Sequence, residues 1–362
     1  MDFNINGLIK KLNMMTNNSE KQRLYMNMQC TLSFMEDIEK INSQDIQKSY
    51  FNIIDLDTLN QKQEKEQYSL LYDLYSNTKL LNNIYKPILS NISSYPFYFE
   101  DMPYINFDRL IDAAEEFFKI LSPNVYNLYV NLLKNELIFE KDNNDCSGQC
   151  TKLDNDLSGI IITKNDPNFL KILCLVHEIG HAYDYYLNKT ANYNDYSLYC
   201  EVISTTFEHL FILYLESKNV IGKEAIKKIY RLFFIEYTKT INNAYIYNKL
   251  ILNNQIKANS ILTIDNQYTK DFIIQNSILK NNIVYQTKQI DNLINAYNFG
   301  IIMSFIFKDH YQKDAKLTIQ EIEEISKLVN NLTTKEIIHL FSKNEYVNSI
   351  SKDACKILCK RK

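Results

Sequence analysis

The segment LCLVHEIGHAYDYYLN, residues 173–188, places two histidines and a glutamate at a spacing that can do chemistry. His177 and His181 are four residues apart, so on an α-helix their side chains lie one turn apart on the same face. Two neutral imidazoles placed in this way can bind one metal ion, and Glu178 lies beside them without being a ligand. Zinc suits such ligands and acidifies a bound water, from which Glu178 could take a proton. The spacing therefore predicts a zinc site that activates water.

Such a site needs a third protein ligand and an open fourth position. Glu201 lies 20 residues after His181, at the start of the next predicted helix. Two antiparallel helices joined by a short loop can bring its carboxylate opposite the two histidines. Glu208 falls on the same face of that helix and could orient a ligand histidine. Ser204 and Thr205 are small, so they would let the two helices approach closely.

An ordinary amphipathic helix is the alternative interpretation, because this short motif also arises by chance. The polar residues of the motif, however, directly follow the apolar run FLKILCLV, residues 169–176, in a helix that we predict to be buried. Burying histidine and glutamate there without partners would cost free energy. We therefore favour the metal site.

The surrounding elements are predicted to be mainly helical, because only 6 Gly and 5 Pro occur in 362 residues and tight turns must be few. A polar, proline-containing stretch at residues 90–104 predicts a boundary between an N-terminal helical lobe, 1–104, and a catalytic lobe, 105–362. Residues 138–163 have the texture of a small β-region, with GIIIT at 159–163 as the strongest strand. The expected fold is a two-lobed, mainly α protein with a small β-sheet beside the metal helix.

Charge and composition limit the classes of binding partner and the cellular location that we expect. The net charge of −3 gives no electrostatic reason to expect nucleic acid or an acidic membrane surface, and no apolar run is long enough to span a membrane. The first residues lack the pattern of a signal peptide, and the seven cysteines are an odd number. Reduced thiols and a cytoplasmic location are therefore expected.

Two cysteine pairs at Cys-x-x-x-Cys spacing, Cys146 with Cys150 and Cys355 with Cys359, could in principle form a second metal site. This spacing is loose, so free thiols are the favoured interpretation.

Four further polar residues have no motif of their own. Asp184 lies on the face of His181 and is interpreted either as a carboxylate supporting the metal site or as a solvated residue. His209, His310 and His339 are expected to be structural or exposed.

The metal segment resembles the oligoendopeptidase F and thimet oligopeptidase family of zinc peptidases. The family pattern HExGH is followed by a segment similar to E-V-A-S-T-F-N-E; this chain has HEIGH and then EVISTTFE. The likeness covers roughly residues 105–310 and is strongest at these two segments. The resemblance implies a zinc ion bound by His177, His181 and Glu201, with Glu178 as the general base.

A downstream segment, AYNFGIIMS, resembles the family's Y-A-T-G-I-S-A. On that alignment Tyr297 matches a tyrosine that hydrogen-bonds the substrate carbonyl and the oxyanion of the tetrahedral intermediate. The chain departs from the family before this point. No histidine occurs ten to twelve residues earlier, and apolar Leu293 or Ile294 stands where a second tyrosine is expected.

These features predict a metalloendopeptidase with one zinc ion per chain that cleaves internal bonds of short or unfolded peptides. The first alternative is a catalytically silent protein of the same fold that binds a peptide or protein partner. The second is a helical protein in which the motif has no metal.

Overall fold

The computed structural model describes residues 104–141, 148–154, 157–164, 166–188, 198–230, 232–233, 278–280, 283–285, 288–329, 332 and 336–337. The predicted N-terminal lobe lies outside these residues apart from Tyr104, and so do His339 and the cysteines at 146, 355 and 359.

Two short helices open the described part, α1 at Phe107–Leu121 and α2 at Pro123–Lys134. Ser122 ends α1, and its side chain caps α2 by accepting a hydrogen bond from the Asn124 amide at 3.2 Å. Pro123 suits the first position of α2 because an amide there has no partner within the helix.

Three strands follow, β1 at Ile138–Lys141, β2 at Gly148–Asp154 and β3 at Leu157–Thr163, which contains the predicted GIIIT strand. The order is β1-β3-β2, with β3 parallel to β1 and antiparallel to β2. Ile160 and Ile162 of the central strand are buried. Strand β2 is thus an edge of this sheet. Two further strands, β4 at Ile278–Lys280 and β5 at Ile283–Tyr285, form an antiparallel pair.

The predicted metal helix is α3, Asn168–Leu187, and it is followed by α4 at Val202–Ser217. Helix α3 contacts β2, β3, α1 and α4, so it is buried along most of its length, as predicted. Two later helices complete the described fold: α5 at Lys288–Lys313 packs along α4, and α6 at Ala315–Val329 contacts α5 and α3. The predicted fold class, mainly α with a small sheet beside the metal helix, is confirmed. None of the described helices has the length and apolarity needed to cross a membrane.

A buried polar network fastens α6 to the end of α3. Asp184 is 3% exposed, so the solvated interpretation is wrong. Its Oδ1 accepts hydrogen bonds from Ser326 Oγ of α6 and, at 3.1 Å, from Asn188 Nδ2, which also donates to Ser326 Oγ at 2.7 Å. A second link between the two helices is a hydrogen bond that the Tyr183 hydroxyl of α3 donates to the Glu323 carboxylate of α6. The polar residues at this end of α3 thus hold two helices together.

We expect Ser326→Ala to lower the free energy of unfolding by about 1–2 kcal/mol, because a buried carboxylate loses a donor and a buried amide loses an acceptor. Urea denaturation would measure the change. Lys327→Ala, at the neighbouring exposed position of α6, is the control, and an equal effect of the two substitutions would contradict a role for the network.

Candidate metal centre

The three predicted ligands lie together. The Nε2 atoms of His177 and His181 are 3.1 Å apart. Oε2 of Glu201 lies 3.4 Å from Nε2 of His177 and 3.3 Å from Nε2 of His181. His177 and Glu201 are 9% and 5% exposed, and His181 is half-buried. Helix α3 supplies both histidines, one turn apart, and Glu201 is the residue that immediately precedes α4.

This triangle fits a tetrahedral metal ion. With zinc–ligand bonds of about 2.0–2.1 Å, tetrahedral geometry places ligand atoms about 3.3 Å apart. The observed separations of 3.1, 3.3 and 3.4 Å match that value. The donor set, two imidazoles and one carboxylate, is one that zinc accepts with a fourth position open to water. Within the described part of the chain, these three residues are the group that could hold a metal.

Glu208 approaches the outer nitrogen of a predicted ligand. Its Oε1 lies 2.9 Å from Nδ1 of His177. A carboxylate at this nitrogen fixes the orientation of the ring and strengthens it as a ligand. Glu208 is therefore placed to orient His177, as predicted from its helical face.

The histidines and Glu201 have opposite shifts of pKa. Burial lowers the pKa of His177, but the carboxylates of Glu208 and Glu201 outweigh it and hold this pKa well above the ordinary value. For His181, burial is likewise outweighed, chiefly by Glu201, so its pKa is raised. Burial raises the pKa of Glu201, but His181 and His177 overcome it and depress that pKa. Positive charge on the imidazoles can therefore balance the buried carboxylate.

Two glycines determine how closely other helices approach Glu201. A Cβ on Gly180 of α3 would lie 2.5 Å from Cα of Ser204. A Cβ on Gly300 of α5 would lie 2.7 Å from the carbonyl oxygen of Glu201 and 2.9 Å from its carbonyl carbon. These are backbone atoms, which cannot move aside as a flexible side chain can. The first turn of α4 is therefore held between α3 and α5, and Glu201 with it.

Hydrogen bonds fix the same turn from within. The Glu201 carbonyl accepts from Thr205 Oγ1 at 2.7 Å and from Ser204 Oγ at 3.1 Å. Ser204 Oγ also lies 3.3 Å from the Glu201 carboxylate oxygen Oε2. The two small residues predicted to permit close packing thus also bond to Glu201.

Glu178 is buried beside the triangle, with 5% of its surface exposed. Burial raises the pKa of its carboxyl group, against the opposing effect of His177 and His181. A raised pKa suits a group that must accept and then return a proton near neutral pH.

Tyr297 of α5 lies beside the centre, with 37% of its surface exposed. Its ring is nearly parallel to that of His177, at 13° and with centroids 6.4 Å apart. The negative charge of Glu201, then burial and Glu178, hold the pKa of the phenol well above its usual value. The hydroxyl therefore stays protonated at neutral pH and can donate a hydrogen bond.

Other histidines of the described chain have structural surroundings. His209 is buried against Phe305 and lies 3.3 Å from Ser304 Oγ. His310 pairs with Glu321 at 2.9 Å. The expectation that these two are structural or exposed is confirmed.

Sequence reasoning missed the role of glycine at this centre. Three of the chain's six glycines, Gly148, Gly180 and Gly300, abut residues of the site. The available signal was the position of Gly180 inside the predicted metal helix, where glycine is unfavourable unless another group approaches closely.

Comparison with known proteins shows the fold. No protein-family model and no curated protein matches this chain. One similar solved structure is a protein from Bacillus anthracis strain Ames assigned as an oligoendopeptidase F, with a TM-score of 0.53, 14% identity, and coverage of 80% of this chain and 55% of that one. A second structure, also assigned as an oligoendopeptidase F, has a TM-score of 0.51 and 13% identity, and the match covers 80% of this chain and 57% of that one.

The fold is that of the oligoendopeptidase F structures. The chain spans just over half the length of these two structures. At such low sequence identity the likeness shows the fold alone.

We expect zinc to stabilise this protein more as pH rises. In metal-free protein the raised pKa of His177 and His181 contributes stability that is complete below about pH 6.5, the unfolded value, and is lost as pH rises through the folded values. Zinc needs neutral imidazoles, so its affinity grows over that same interval.

Melting temperatures recorded with zinc and with a chelator at several pH values test this expectation. The difference between the two curves should widen from slightly acidic to alkaline pH. A difference independent of pH would show that zinc displaces no protons from these histidines.

We expect Gly300→Ala to weaken zinc binding about 10–100-fold, the usual effect of disturbing the groups that support a metal ligand, because the added methyl would press on the Glu201 backbone. Competition with a chromophoric chelator would measure the zinc dissociation constant. Gly222→Ala is the matched control, since a Cβ there meets nothing within 4 Å. Equal zinc affinity in the two variants would contradict this account of Glu201.

Proposed function

We propose that this chain is a zinc-dependent endopeptidase that hydrolyses internal bonds of short or unfolded peptides. The observation that carries the proposal is the buried triangle of His177, His181 and Glu201, whose three ligand atoms are 3.1–3.4 Å apart. Glu178, next in sequence to one of these ligands, supplies a carboxylate in the same buried space. A metal site with a neighbouring base and an open position is what hydrolysis by activated water requires.

Zinc held by these three residues would polarise the scissile carbonyl and lower the pKa of water. Glu178 accepts the proton from the attacking water as its oxygen bonds to the carbonyl carbon. The same carboxyl then gives that proton to the amide nitrogen as the carbon–nitrogen bond breaks, leaving a carboxylate and an amine. The protonated hydroxyl of Tyr297 donates a hydrogen bond to the oxyanion. Glu208 keeps the His177 ring in place.

The edge strand supports a peptide as the substrate. Strand β2 pairs with β3 on one side only in the described sheet, and it runs beside the metal helix. An extended peptide can add to such an edge through main-chain hydrogen bonds, which read backbone and not sequence. The names of the two similar structures, oligoendopeptidase F, agree with a substrate of this class.

A catalytically silent peptide-binding protein is the second candidate. The observation that favours it is in the sequence: no histidine occurs ten to twelve residues before Tyr297, where the resembled family usually has one. In that case the metal centre would be kept for binding and structure.

Zinc content and peptide cleavage decide between these functions. Purified protein should contain about one zinc per chain, as three protein ligands imply, and should cleave members of a mixed peptide library at internal bonds. Glu201→Ala should lose the metal, because only two ligands remain. Glu178→Gln keeps the shape and the ligands, so it should retain zinc while turnover falls by at least about 100-fold.

Zinc without cleavage in the wild type would favour the silent binder. Full turnover by Glu178→Gln would remove this residue from its proposed role, and protein without zinc would overturn both functions.

A further inference from the structure

We infer that Gly148 is a positioning residue for Glu178, through the direct contact of strand β2 with that side chain. The inference rests on the proposed function and adds to it a residue outside the metal ligands and the reacting groups. It predicts that the rate of hydrolysis depends on the absence of a side chain at the first residue of β2.

The space beside Gly148 is already filled by two side chains of α3. A Cβ built on this glycine would lie 2.1 Å from Cys174 Sγ, 2.7 Å from Glu178 Oε1 and 3.1 Å from Glu178 Cγ. The first two distances are shorter than real Cβ contacts, and the third is tighter than most of them. Cys174 and Glu178 are one helical turn apart on the same face of α3, so the strand crosses that face at the level of the carboxylate.

Neither strand β2 nor helix α3 can move away to make room for a side chain at position 148. Gly148 is paired with Ile162 of β3, and the antiparallel ladder continues through Cys150, which pairs with Ile160. Both isoleucines are buried, so the sheet is fixed in the core. Helix α3 is held from its other sides by α1 and α4. A side chain at position 148 must therefore displace the side chains of α3.

The alternation of β2 explains why this position and not its neighbour is sensitive. Gly148 and Cys150 point to the same face of the strand, and Gln149 points to the other and is exposed. The backbone of β2 thus forms one wall of the pocket that holds the Glu178 carboxylate. Contact with the β2 backbone limits the rotamers that the Glu178 side chain can adopt. A methyl group on residue 148 would block the observed rotamer.

The rate of proton transfer depends on such placement. A displacement of about 1 Å in a catalytic group can cost about 100-fold in rate. Zinc binding does not use Glu178, so the metal content should be unaffected. A contact that acts through the base is thereby distinguished from one that supports the whole site.

The test uses a double variant, because Gly148→Ala alone would collide with Cys174 Sγ and could unfold the protein. Cys174→Ala removes that sulfur, and the methyl added at 148 then enters the vacated volume, leaving the contact with Glu178 Oε1 as the remaining conflict. Cys174→Ala alone is the reference, and Gly222→Ala is the control for an added methyl group, since a Cβ there meets nothing within 4 Å. Zinc per chain, kcat and KM are measured for each with one peptide cleaved by the wild type.

The expected result is that Gly148→Ala/Cys174→Ala keeps about one zinc per chain and an unchanged KM while kcat falls roughly 10–100-fold below Cys174→Ala. Gly222→Ala should match the wild type. A kcat of the double variant within twofold of its reference would overturn the inference. Loss of zinc in the double variant would overturn it too, because Gly148 would then support the metal site in general. Absence of cleavage by wild type and Cys174→Ala alike would instead overturn the proposed function, and this inference with it.

Discussion

Two imidazoles and a carboxylate share one small volume inside an apolar core, and their mutual attraction is the interaction on which the rest of the site depends. Isolated, each charged group would be expensive to remove from water. Together, His177, His181 and Glu201 satisfy one another, with ligand atoms 3.1–3.4 Å apart. The opposite shifts in pKa express this compensation. A divalent ion in the same triangle would take over the role of the protons.

Such a cluster requires that three helices and a sheet approach more closely than ordinary side chains allow. The chain contains few glycines, and half of them lie where backbone meets backbone or a site residue. Gly180 and Gly300 bring α3 and α5 against the turn that carries Glu201, and Gly148 brings β2 against Glu178. The network of Asp184 and Ser326 fixes the far end of the metal helix. Placement of the chemistry is thus a property of packing as much as of the motif.

The part of the site that could be predicted from sequence is the part governed by local geometry. The four-residue spacing of His177 and His181 is a helical repeat, and Glu201 and Glu208 lie on the next helix, so their faces follow from periodicity. The strand GIIIT is a local apolar run between turn residues, and it was predicted for the same reason.

The features that sequence could not supply depend on contacts between distant segments. The parallel pairing of β1 with β3 is one example, and the contact of Gly148 with Glu178 is another. The burial of Asp184 does not follow from its own segment, because its partner Ser326 is 142 residues away. Periodicity places a residue on a face, but it does not say which element will cover that face.

The central claim is that His177, His181 and Glu201 together bind zinc, and X-ray absorption at the zinc edge of the zinc-loaded protein tests it most directly. The account predicts a first shell of nitrogen and oxygen at about 2.0–2.1 Å, with the outer-ring scattering of two imidazoles and no sulfur. A shell containing sulfur at about 2.3 Å would place the metal at cysteines and would contradict it.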